Sequence, residues 1–333
     1  MRTFFLFIFL ILIYSIFIAQ DVHWSQFNDN PLYLNPANSG NFKGDSRFIL
    51  NYRDQWRSVT VPFQTTSFSY DAHLKKYPNI GLGLLFLNDV TGDGKFKTFE
   101  LQAMPSYGKF LTKDSSQQLL SGIQITFNHR QFTFPNFYFD EQYNGVNYDE
   151  NAPITEELFT DKKNNLSLGA GLVYQWRKSK KQQYQIGLSA FNINQPNQGF
   201  YGVKIKRNVR ICFFTKTTIN LKKKLDLIPS ILYQAQGTYR EFILGSQLKY
   251  TLSSKPKDYK AIYGGLFYRH KDVFYLNAGM EYKKWYLGLS YDINISSLKP
   301  ASGGRGGIEV SARYILYRFK PKQIQHRICP EFI

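Results

Sequence analysis

Few of the residue types that carry metal or catalytic chemistry stand at spacings that would use them. The five histidines, His23, His73, His129, His270 and His326, pair neither with one another nor with a cysteine, so the N/S ligand set that zinc prefers is missing. The run Asn88-Asp89-Val90-Thr91-Gly92-Asp93-Gly94 offers oxygen ligands but lacks the spacing and closing Glu of a calcium-binding EF-hand loop. A Gly/Asp turn between two strands accounts for it better. Gly303-Gly304-Arg305-Gly306-Gly307 has no Lys-Ser/Thr and no strand-to-helix context, so it reads as a flexible outer loop and not a phosphate cradle. A Ser/His/Asp hydrolase site is defined by geometry, which scattered residues do not supply. The expectation is a non-enzyme with no metal and no cofactor.

Whatever these residues do must be positioned by strands. From Arg47 to Phe319 the chain is a succession of period-two segments separated by Gly, Asn, Asp, Ser, Pro and Lys. Over 166–177, Leu166, Leu168, Ala170, Leu172, Tyr174 and Trp176 share one face, and the other is small or polar except for Val173. Fourteen such segments begin near Arg47, Thr65, Asn79, Lys95, Gln117, Leu166, Tyr184, Asn208, Leu225, Tyr239, Lys260, Asp272, Trp285 and Gly307. An even number suits a closed antiparallel barrel, and their length matches the roughly 9 to 11 residues a tilted strand needs to cross a bilayer. Soluble sandwiches also alternate, so periodicity alone does not put the apolar face against lipid.

Three further features favour lipid. Aromatics gather near strand ends, as in Tyr52 and Trp56, Tyr174 and Trp176, Tyr282 and Trp285, and Tyr314 and Tyr317, where interfacial girdles form. Short connections, such as 74–78, 177–183, 222–224 and 283–284, interleave with long ones, 135–165 and 194–207, as periplasmic turns do with outer loops. The formal net charge of +18 then concentrates in the short turns, at Lys75, Lys76, Lys109, Lys113, Arg177, Lys178, Lys180, Lys181, Lys222, Lys223, Lys224, Lys255, Lys257, Lys260, Lys283 and Lys284. Such a rim suits anionic lipid headgroups or an acidic protein partner; the plainer reading is solvated lysines that blunt aggregation. An exported barrel meets no nucleic acid, so the charge does not point there.

The composition agrees with this class. Aromatic residues make up 17% of 333 residues at a mean hydropathy of -0.36, too polar for a polytopic helical membrane protein and too aromatic for a disordered chain. The one long apolar run follows Arg2 and ends at Ala19, the pattern of a cleaved signal peptide over 1–19, although Phe17 departs from the preferred A-x-A. An uncleaved anchor is the competing reading. Cys212 and Cys329 make no disulfide framework and are expected as two thiols. Residues 20–45, rich in Asn, Pro and Gly, form a periplasmic or luminal segment; 46–319 form the barrel; 320–333 form a basic periplasmic tail.

Four patches resemble the PorP/SprF family of type IX secretion outer-membrane proteins. They are Trp24-Ser25-Gln26-Phe27 continuing into Asn30-Pro31-Leu32-Tyr33-Leu34-Asn35-Pro36-Ala37 and Gly40; Asn51-Tyr52-Arg53-Asp54-Gln55-Trp56; Ser290 to Ser302 with Gly304-Arg305-Gly306-Gly307; and Cys329-Pro330. The tail continues Glu-Phe-Ile where the family more usually has a basic residue. The resemblance implies an integral barrel of the Bacteroidota secretion and gliding apparatus, acting through protein partners. Those partners are periplasmic lipoprotein or ring components, or the C-terminal domain of a secreted cargo.

Candidate partner-binding residues follow from the patches: Trp24, Phe27, Asn30, Pro31, Asn35 and Pro36 in the leader; Arg53 and Trp56 in the first strand; Ser297, Lys299 and Arg305 near the last; and Lys320, Lys322, Arg327, Cys329 and Pro330 in the tail. The Asn-Pro pairs predict a multiply turned leader. Phe48, Leu50 and Tyr52 mark one parity as lipid-facing, so Arg53 points inward, where it either ties down a plug or lines a wet lumen. A solute channel is the alternative function, since a barrel of this size conducts if its lumen is open.

Overall fold

The computed structural model describes residues 21–57, 61–92, 95–132, 140–149, 152, 162–179, 181–200, 202–255, 258–297 and 299–317. The expected signal segment and the tail residues Lys320, Lys322, Arg327, Cys329 and Pro330 lie outside them. Fourteen strands carry the alternation: β1 Ser46–Gln55, β2 Phe63–His73, β3 Ile80–Thr91, β4 Phe96–Phe110, β5 Gln117–Gln131, β6 Lys162–Ser179 and β7 Gln182–Phe191. They continue as β8 Arg210–Lys222, β9 Leu225–Gln236, β10 Tyr239–Ser253, β11 Lys260–Arg269, β12 Val273–Tyr282, β13 Trp285–Asn294 and β14 Arg305–Leu316. Each pairs antiparallel with its sequence neighbours, and β1 closes on β14 with Leu50 opposite Ala312. Closure leaves no edge, so the backbone groups of every strand have partners within a bilayer.

The outward parity is apolar and bare. Ile123, Leu166 and Leu266 are 55%, 58% and 56% exposed, a waste of apolar surface in water but the required face in lipid. Ring pairs flank the belt, with Trp285 4.5 Å from Tyr314 and Trp176 5.5 Å from Tyr184 at one rim and Trp56 4.7 Å from Phe63 at the other. The rim where β1 begins and β14 ends is here the terminal rim; the opposite end, which carries the connections 132–161 and 192–209, is the loop rim.

Two expectations need correction, and one feature of the inward face goes beyond them. Connection length does not alternate strictly, because the loop rim also holds the two-residue hairpin Gly237-Thr238 and the short link 270–272. Gly237 at φ 56° supplies the backbone such a tight turn requires. The inward parity is not uniformly small and polar: Phe214, Leu232, Ile243 and Phe267 point in and are buried. The Gly303–Gly307 run is not all loop, since a helical turn, α2 (Lys299–Ser302), precedes Gly303 and Gly304 at positive φ, and β14 starts at Arg305.

Inward apolar residues have something to pack against because residues 21–45 fill the lumen. Their 3-10 turns Phe27–Asp29 and Pro36–Asn38 flank α1 (Pro31–Leu34), with Pro31 and Pro36 at first helical positions, where a missing N–H costs nothing. Asn35 is extended between them; its Oδ1 accepts from Ala37 N at 2.9 Å while its Nδ2 donates to the carbonyls of Leu172 and Leu188. Phe27, Leu34 and Ala37 join Phe214, Leu232, Ile243 and Phe267 in one cluster, and Trp24, Leu32 and Tyr33 join Leu85, Leu87 and Met104 in another. On β5, Gly122 is required: a Cβ there would lie 2.5 Å from the backbone nitrogen of Ala37.

Candidate functional site: the plugged lumen and its rims

The plug begins at the loop rim and leaves at the terminal rim. At its start, Asp21 N donates to Gln236 on the last residue of β9; at its end, Asp45 N donates to Leu316 on the last residue of β14. Between these points two ionic clusters hold the loop-rim half. In the first, the Ser25 hydroxyl accepts from Arg53 at 2.6 Å and from Arg269 at 2.8 Å and donates to Asp292. Arg53 also pairs with Asp292 at 2.8 Å and Glu309 at 2.9 Å, and Arg269 pairs with Glu241 at 2.9 Å. Glu309 in turn accepts from the backbone N–H groups of Ser25 and Gln26. Every pair is buried, so each charge depends on the others for its solvation.

The second cluster holds Asp21. Arg207, from the connection after β7, bridges Asp21 at 2.7 Å and Glu100 at 2.8 Å, and Arg210 lies over the rings of Tyr33 and Phe191 at 4.3 and 4.2 Å. Burial alone would raise the Asp21 carboxyl; the Arg207 and Arg210 guanidiniums overcome it and hold the pKa below the ordinary carboxylate range. His23, nearby, is driven the other way. Burial first, then Arg269 and Arg53, keeps its ring well below the usual value of 6.5, so the plug seats with a neutral imidazole.

Nearer the terminal rim neutral contacts are mixed with the buried Arg47–Asp71 pair and with Arg313, which pairs with Asp29 and Glu281. Asn30 donates to Ser67, Ser106 donates to the Ser39 carbonyl, and Asp71 takes Arg47 and the Gly40 N–H. Asp29 accepts from Tyr286 at 3.0 Å with Arg313 3.8 Å away. Burial raises the Asp29 carboxyl despite those neighbours.

This geometry sorts the candidate residues. Arg53 is a plug tether. Trp24, Phe27, Asn30, Asn35 and Pro36 are buried against the chain's own strands and Pro31 is half-buried beside them, whereas Lys43 in the same leader is exposed. The physical reason for the burial is that the family-like leader must match the lumen. Trp56, half-buried at φ 61°, ends β1 beside a crevice of about 250 Å³ that His23, Arg269 and Asp272 also line. Ser297, Lys299 and Arg305 are exposed together on the loop rim. Asn88 and Asp89 fall on opposite faces of β3, and Asp89 accepts from Thr65. Among the described residues no group of three or more His, Cys, Asp or Glu is placed to hold a metal, and Cys212 is a buried free thiol. Ser25, Asp292 and Glu309 are not singled out in the sequence, although Ser25 and Asp292 lie inside the family-like patches and Glu309 stands two residues beyond one, on the inward parity of β14.

A closed fourteen-strand barrel with an apolar outer belt and a filled lumen defines the class of outer-membrane β-barrels. In fold it is similar to the toluene transporter TbuX of Ralstonia pickettii (7% identity, 87% of this chain and 94% of that chain, TM-score 0.51). It is likewise similar to the toluene transporter TodX of Pseudomonas putida (8%, 89% and 95%, 0.52) and to the CymD monoaromatic hydrocarbon channel (8%, 87% and 93%, 0.53). At such identities the likeness is one of fold. No curated protein matches the sequence. A family model of the type IX secretion system membrane protein PorP/SprF matches residues 16–314, and the chain belongs to that family.

Proposed function

We propose that this chain is a non-enzymatic docking protein of type IX secretion. It acts as a scaffold for periplasmic components or as the export and surface-attachment partner of a secreted cargo, and not as a solute channel. The observation that carries this reading is the plug: residues 21–45 occupy the lumen from one rim to the other and are tied in by the buried pairs of Arg53, Arg269 and Arg207. A barrel filled in this way works through its surfaces.

Those surfaces differ in character. On this reading the long connections face outward and the terminal rim faces the periplasm. Lys75, Lys76, Lys222, Lys223, Lys224, Lys283 and Lys284 are exposed on the terminal rim, where they steer an acidic partner or anionic headgroups. The tail from 320 to 333, with Lys320, Lys322, Arg327, Cys329 and Pro330, adds to the same docking role, and Ser297, Lys299 and Arg305 serve an outward-held cargo. The test is co-purification from solubilised outer membranes with the tail present or deleted. A secretion component or cargo domain that is retained by the full chain and lost on deletion supports docking; no co-purifying protein together with steady ion conductance overturns it.

A further inference from the structure

One row of side chains just inside the terminal rim is built but only half used. Gln118 of β5 faces Gln175 of β6, Gln175 faces Gln185 of β7, and Gln185 faces Lys216 of β8. All four share the inward parity of the buried Leu120, Val173 and Phe214. With strands about 4.8 Å apart, three amides and an ammonium span roughly 14 Å of the inner wall. The plug takes part of this row: Gln175 Nε2 donates to Asn41 at 2.8 Å and Gln185 Nε2 to Asn38 at 3.0 Å. The rest faces a cavity of about 230 Å³ that Arg177, Gln183 and Thr218 also line.

The unspent groups define what fits. No carboxylate lines the cavity, and among the described residues the side chains of Lys216, Arg177, Gln118 and Gln183 make no hydrogen bond or ion pair. The carboxylate that Lys216 feels most is Asp29, already bonded to Tyr286 and facing Arg313. Neither the half-buried Lys216 nor the exposed Arg177 has an ion pair among the described residues, so the cavity favours an anion. The amides supply both donors and acceptors, which match the alternating N–H and C=O groups of a peptide; a phosphate, with at most one or two O–H donors at neutral pH, matches them less well. The volume corresponds to roughly seven waters, in the range of one acidic side chain with its flanking peptide.

We propose that this amide row with Lys216 and Arg177 is a receptor site for an acidic peptide segment entering from the terminal rim. It rests on the docking reading above and gives that rim a specific mouth. Lys216 and Arg177 take the carboxylate, and Gln118, Gln183 and the free oxygens of Gln175 and Gln185 take the peptide backbone. Because the same glutamines hold Asn38 and Asn41, an occupied site also braces the lower end of the plug.

The test uses the full chain in nanodiscs and a fluorescein-labelled hexaglutamate peptide, read by anisotropy at low and moderate salt. Lys216→Gln with Arg177→Gln should weaken binding at least tenfold. Lys283→Gln with Lys284→Gln, which removes the same charge from the same rim outside the cavity, should stay within twofold. Hexaglutamine should bind at least tenfold more weakly than hexaglutamate, and Gln118→Ala with Gln185→Ala should cost severalfold with all charges intact. Lys216→Arg with Arg177→Lys controls for folding and should still bind. Equal weakening by both charge-removing pairs, or displacement of the peptide by equimolar inorganic phosphate, overturns the site. A secretion partner that still co-purifies while the peptide binds no form of the protein overturns the site alone and leaves the docking reading standing.

Discussion

The two ends of the plug are held by different physics. At the loop rim, Ser25 and Asp21 sit among paired arginines and carboxylates whose charges are almost all spent on one another. At the terminal rim the buried Arg47–Asp71 pair holds the Asn38 carbonyl and the Gly40 N–H, while Asn38 and Asn41 also rest on glutamines with amide groups to spare, beside a lysine and an arginine with no ion-pair partner among the described residues. The first end is charge-paired, although His23 Nε2, Trp24 Nε1 and Arg207 Nη1 are buried there without a hydrogen-bond partner among the described residues. The other keeps unspent polar groups, which is what a receptive surface requires.

The difference is sharpest when the charge-paired end is cut. Replacing Arg53 by Met leaves Asp292 and Glu309 buried with less compensation and should weaken plug seating by about 3–5 kcal/mol. The readout is protease cleavage between residues 21 and 45, protected in the wild type and rapid in the variant. A smaller loss should come from the wall between the ends. Gly122→Ala drives a Cβ into the Ala37 backbone and should cost on the order of 1–3 kcal/mol, visible as a lower urea midpoint for plug release.

Acidification probes the charge-paired end through His23. A released plug carries a His23 that binds a proton near 6.5, whereas the seated His23 resists it, faced by Arg53 of β1, Arg269 of β11, Glu241 of β10 and Asp272 beyond β11. Between those two values the released state holds more protons, so seating strength rises with pH and falls on acidification. Moving from pH 7.5 to 5.5 should cost about 1.4 kcal/mol of plug stability, and His23→Gln should flatten that slope. Toward the terminal rim the sign reverses at Asp29, whose carboxyl burial raises, so acid favours seating there. Lys216→Gln should weaken plug seating less than Arg53→Met, since its ammonium makes no hydrogen bond or ion pair among the described residues and acts on the plug's Asp29 only through space.

Much of the barrel was legible because period-two alternation is a local signal. Fourteen strand starts fell within a few residues of β1 to β14, and the inward aim of Arg53 followed from the parity of Phe48 and Leu50. The lysine rim was legible too, since alternate turns of any closed antiparallel barrel share an end. Depth inside the lumen was not: nothing local separates a leader that hangs free from one whose Ser25 meets β1, β11 and β13 together. The amide row was equally hidden. Gln118, Gln175, Gln185 and Lys216 come into line only once the register of four strands is known.

The central claim is that the plug closes the lumen and leaves the rims to do the work. Single-channel recording of the purified full chain in planar bilayers at neutral pH tests it most directly, with Arg53→Met as the internal control. The account predicts a silent wild type and a conducting variant. Steady ohmic conductance from the wild type, equal to that of the variant, would contradict it.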